Sequence, residues 1–67
     1  MFRNLDAEQA RHGQTNSDMA QLLGISRVSY ESKKKSGKFT TIEIKALCKH
    51  FKCKFDYLFA TEEKEVV

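Results

Sequence analysis

The sequence predicts an all-α domain of five short helices in which the second and third form a helix-turn-helix. The first observation is residues 15–34, TNSDMAQLLGISRVSYESKK, which read as two short helices around a tight turn. Ala20, Gly24 and Tyr30 stand where such a unit needs a small residue, a turn residue and a core anchor. The second is a series of helix-start signals: Thr15 with Asp18, then Ser26, then Thr40 with Glu43. The third is size. With 67 residues, 40% of them hydrophobic and five of them Phe, the chain can build one small core and no more.

The first helix is expected over residues 4–12, with Asn4 as its cap and Gly13 in the left-handed position after it. Its apolar stripe is thin: Phe2 and Leu5 are followed by Gln9, where an apolar residue would continue the pattern. The second helix is better marked. Thr15 and Asp18 form a capping box, with Asp in place of the commoner Glu, and Met19, Ala20, Leu22 and Leu23 supply the buried face. Gly24 ends it, because a residue without Cβ enters the left-handed region without steric cost. Ile25 plugs the turn. Ser26 caps the third helix, which carries Arg27 and Val28 in its first turn and points Tyr30 back to the core. Residues 33–37 are where this helix should fray and stop.

The fourth helix has a full start signal. Thr40 and Glu43 form a capping box, while Phe39 and Ile44 occupy the two staple positions around it. Ile44, Leu47, Cys48 and Phe51 then make one continuous stripe. Lys52 takes the exit position, where Gly or Asn would be easier. Residues 56–59 read as a short fifth helix. Residues 1–60 thus form the domain, and 61–67 a frayed acidic tail.

The net charge of +3 is unevenly spread. Residues 27–38 hold Arg27, Lys33, Lys34, Lys35 and Lys38 against the single Glu31, whereas the tail holds Glu62, Glu63 and Glu65 against Lys64. Lysines alone would mean a solvated loop; lysines directly after a helix-turn-helix pattern suit a phosphate-facing patch. There is no secretory apolar region and no apolar run near 20 residues, which points to a cytoplasmic protein without a membrane span. Cys48 and Cys53 flank His50, three residues able to ligate zinc. Their spacing matches no common zinc site and a fourth ligand is not evident, so no metal or other cofactor is expected. Cys48 shares an apolar face with Ile44, Leu47 and Phe51, and two reduced, buried cysteines are the reading this favours.

The helix order, together with residues 3–13 (RNLDAEQARHG), 39–44 (FTTIEI) and 53–59 (CKFDYLF), resembles the lambda-repressor/Cro-like (Xre-type) DNA-binding domains. The likeness is greatest to small phage and prophage regulators and covers nearly the whole chain. It implies a lambda-repressor-like fold and a transcriptional regulator that binds double-stranded DNA, acting as a repressor that occludes a promoter. This chain departs from the pattern at Gln9 and Gln14, which replace usually apolar residues. It departs again at Lys33, where an aliphatic side chain is common, and through residues 34–37. The stem of Lys33 can still pack while its ammonium reaches phosphate.

Helix placement assigns the expected contacts. The start of the third helix enters the major groove in such domains, so Arg27 and Val28 are the expected base readers. Arg27 can pair with both acceptors of guanine, or bind phosphate alone as a surface arginine, and Val28 can pack on a thymine methyl. Glu31 and Ser32 follow one turn later. Glu31 can accept from cytosine N4, or only hold the Arg27 fork across i,i+4. Thr15, Asn16 and Ser17 at the start of the second helix face a phosphate, although Thr15 can equally be a plain cap and Asn16 and Ser17 simply solvated. Ser26 and Ser29 are further backbone candidates. Lys33, Lys34, Lys35 and Lys38 supply affinity through counterion release without carrying sequence information. One helix reaches only a few base pairs, so a homodimer on two half-sites is expected. Its candidate interface is Phe55, Tyr57, Phe59, Val66 and Val67, unless the aromatics simply close the monomer core.

Two other classes stay in view. One is a protein-interaction module, an antirepressor or regulator partner, built on the same fold. The other is an enzyme, which the residues argue against. His12 and His50 lack an acid, base or nucleophile constellation, no Gly-rich phosphate loop is present, and no site for a small-molecule substrate is evident.

Overall fold

In the computed structural model, which describes residues 2–61, five helices follow one another: α1 (Arg3–Arg11), α2 (Asn16–Leu23), α3 (Arg27–Ser36), α4 (Thr41–Phe51) and α5 (Phe55–Leu58). No strand occurs among the described residues. Each helix sends one side chain to the centre, and these five, Leu5, Met19, Tyr30, Leu47 and Leu58, are fully buried. Phe2, Ala20, Phe51 and Phe59 complete the core, with Leu23, Ile25, Phe39 and Ile44 packed partly buried against it. The helices are too short to be stable alone, so this shared apolar centre holds them.

The local signals act largely where they are written. Thr15 and Asp18 make a reciprocal capping box, and so do Thr40 and Glu43. Ser26 accepts the Ser29 N–H at 3.1 Å, satisfying one orphan donor at the start of α3. Gly24 ends α2 at φ 73°, and its Ile25 N–H reaches back to the Ala20 carbonyl at 2.9 Å. This turn lets α3 leave at an angle and pack against α2.

Several expectations need correction. Leu22, expected on the buried face of α2, is exposed, and Cys48 and Cys53, expected to be buried, are half-buried. Asn4 does not cap α1: Phe2 occupies that position without a side-chain hydrogen bond. The Asn4 amide instead donates to the Tyr57 carbonyl at 2.8 Å. The chain returns over the start of α1, and the Tyr57 carbonyl, near the end of α5, otherwise receives, among the described residues, only a long 3.4 Å bond from the Ala60 N–H. The third helix does not fray from Lys33 but runs to Ser36 and stops at Gly37, φ 78°. Cations in a last turn face the negative end of the helix dipole, so three lysines suit a helix end rather than melt it. The fifth helix begins one residue earlier than expected, at Phe55 after Lys54. The expected tail lies outside the described residues beyond Thr61.

Lys52 exits α4 at φ 57°, the one non-glycine left-handed residue among those described. A left-handed L-residue costs roughly 1–2 kcal/mol, and glycine gives back roughly 0.5–1 of this through its freer unfolded chain. Lys52→Gly is therefore expected to stabilise the domain by about 0.5–1 kcal/mol, raising Tm by about 2–8 °C in a circular-dichroism melt. A lower Tm would mean that the Lys52 side chain holds a contact worth more than the strain.

Candidate nucleic-acid interface

The exposed face of α3 is set by the inward aim of Tyr30. With that ring buried, Arg27 and Val28 stand out at the start of the helix, their exposures 56% (side chain) and 65%. Val28, Glu31, Ser32 and Lys35 line one shallow depression along the same face, the spacing of one side of a helix. Ser26 is exposed and Ser29 half-buried, both at the α3 start; Thr15 and Ser17 are exposed at the α2 start.

The four lysines are not equivalent. Lys35 and Lys38 are exposed. Lys33 bonds Glu43 at 3.3 Å, tying the end of α3 to the capping box of α4. Lys34 turns inward: its side chain is only 18% exposed, it pairs with Asp6 of α1, and it lies 5.3 Å from the centre of the Tyr30 ring. Lys34 is thus committed to holding α1 on α3, and the open basic edge is narrower than the sequence suggests.

Polar side chains connect the three helices behind this face. The Tyr30 hydroxyl donates to Gln9 Oε1 at 2.8 Å, and Gln9 Nε2 donates to Asn16 Oδ1 at 2.9 Å. Asn16 Nδ2 donates to Glu31 Oε2 at 3.0 Å, and the Arg27 guanidinium reaches the same oxygen at 2.9 Å. Burial, then the nearby Asp6 carboxylate, pushes the Tyr30 phenol well above its ordinary range, so it stays a donor. Gln9, Asp6 and Lys34 were not expected in this role. The available signal was a Gln on the buried stripe of α1, since a buried amide must find partners.

The Asn16 amide, then the Arg27 guanidinium, hold the Glu31 carboxyl below the usual glutamate range. At Glu43, burial pushes the carboxyl up, but the Thr40 N–H and the Lys33 ammonium more than offset it and the net shift is down. A carboxyl depressed in the folded state contributes stability above its unfolded pKa and loses it as pH falls through the folded value. The Glu31 carboxyl, followed by NMR, is therefore expected to titrate below a free glutamate. The Arg27–Glu31–Asn16 bridge should open over that acid range and stay closed at neutral pH. A midpoint at or above the ordinary value would mean that the bridge does not form in solution.

Residues 4–64 match the family model of the Cro/C1-type HTH DNA-binding domain, a span that includes α2, the turn and α3 whole. The chain belongs to this family. No curated protein and no solved structure matches it. In this Cro/C1-type domain the helix-turn-helix is α2 and α3, and a DNA-binding family places nucleic acid as the partner class. No helix among the described residues is long and apolar enough to cross a membrane.

Proposed function

We propose that this Cro/C1-type domain is a sequence-specific regulator of transcription of phage or prophage type, a cytoplasmic protein that represses by occupying double-stranded operator DNA. The observation that carries the reading is the outward pair Arg27 and Val28 at the start of α3 with Tyr30 locked behind them. In this reading α3 lies in the major groove, Arg27 and Val28 read bases, and Ser32 and Glu31 border the same face. The start of α2, with Thr15, Asn16 and Ser17, faces phosphate through its free N–H groups. Ser26, Ser29, Lys35 and Lys38 make further backbone contacts; Lys33 and Lys34 serve the fold first.

Two copies are needed to read an operator. Among the residues expected at an interface, Phe55 and Tyr57 are exposed on α5 and remain candidates. Phe59 is buried against Phe2 and Phe39 and closes the monomer core instead. Val66 and Val67 lie outside the described residues.

The test is selection of bound duplexes from a random pool, with affinity measured across a salt series. An inverted repeat with half-sites about one helical turn apart is expected, together with an affinity that falls steeply with salt. Failure to enrich any motif, with an affinity for duplex DNA that barely responds to salt, would shift the assignment to a protein-interaction module.

A further inference from the structure

We propose that Gln9, buried in α1, is a positioning residue for the Arg27 guanidinium, acting through Asn16 and Glu31. The inference rests on Arg27 being a base reader. Its basis is the direction of the hydrogen bonds. Lys34 Nζ lies 3.4 Å from Gln9 Oε1 and 3.2 Å from Asn16 Oδ1. An ammonium can only donate, so both of those atoms must be oxygens, and neither amide can be turned over. Gln9 then has its nitrogen free for Asn16, and Asn16 has its nitrogen free for Glu31. Glu31 Oε2 collects that donor and the Arg27 guanidinium at one atom.

The consequence is a guanidinium ordered before any duplex arrives. An arginine side chain loses several rotatable bonds on binding, and a planar fork already held in place loses less. Glu31 accepts from Arg27 at one end of the fork, which leaves its other donors for a guanine edge. Gln9 itself is 8% exposed and stands on α1, so it orders the fork from inside the fold and touches no base.

Two variants test this. Gln9→Glu swaps the donor nitrogen for oxygen at constant shape and keeps the acceptor used by Tyr30 and Lys34. Gln9→Leu with Tyr30→Phe removes both buried polar partners together, which avoids orphaning either. In each variant the preference for the favoured base pair under Arg27 is expected to fall severalfold. The salt slope, which counts phosphates, should stay unchanged. The Glu31 carboxyl, followed by NMR in the free protein, should titrate closer to an ordinary glutamate in both. An unchanged base preference in both variants, while Arg27→Lys lowers it, would overturn the proposal. If the unsubstituted protein shows no base preference, the base-reader assignment fails, and the titration decides the positioning: a Glu31 midpoint unmoved in both variants overturns it.

Discussion

Tyr30→Ala is expected to unfold the domain at room temperature. The ring is fully buried in the core cluster, 6.0 Å from the Phe39 ring. Its hydroxyl supports Gln9 at 2.8 Å. Removing a buried aromatic costs about 3–5 kcal/mol, and losing the hydroxyl leaves a buried amide oxygen with only the long Lys34 contact. A chain of this length has a total stability of roughly 3–10 kcal/mol. Far-ultraviolet circular dichroism should show a largely lost helical signal or a melt shifted down by tens of degrees. Tyr30→Phe separates the two terms: it keeps the packing and should cost only about 1–3 kcal/mol. A Tyr30→Ala protein that melts within a few degrees of the parent would mean that the five-helix centre does not depend on this side chain.

Arg27→Ala is expected to abolish one position of the selected motif. A bidentate arginine–guanine pair contributes about 1–3 kcal/mol of discrimination, or about 5- to 150-fold in relative affinity. The substitution also frees the Glu31 carboxylate, which now faces the groove without its cation, so binding to all sequences weakens as well. Arg27→Lys isolates the readout, since it keeps the charge and loses the fork. Competition binding with duplexes altered at single positions should show the preference lost in both variants and nonspecific affinity lost mainly in the alanine one. A motif retained by Arg27→Lys would reduce Arg27 to a phosphate contact. By contrast, Lys35→Ala or Lys38→Ala should weaken all duplexes alike and lower the salt slope by about one.

The architecture was legible because its signals are local. A cap such as Thr15 or Thr40 acts on the N–H three residues on, and Gly24 acts on its own dihedral angles. Arg27 and Glu31 are likewise visible as an i,i+4 pair. Where a local signal misled, a distant segment had intervened. Asn4 looks like a cap until α5 brings the Tyr57 carbonyl within reach of its amide. The lysine run looks like a fraying end until Glu43 and Asp6 draw two of its members in.

Periodicity, caps and turn residues within four or five positions of one another thus settle the helices, the turn between α2 and α3, and the outward aim of Arg27 and Val28. The partners of those side chains are a different matter. Gln9 meets Tyr30 across 21 residues, Lys34 meets Asp6 across 28, and Asn16 meets Glu31 across 15. A polar side chain buried by packing must bond whatever the packing places beside it, and that neighbour is chosen by how three helices cross. The run of lysines that marks this chain as basic is therefore divided by the tertiary structure, which commits Lys33 and Lys34 to the fold and leaves Lys35 and Lys38 at the surface.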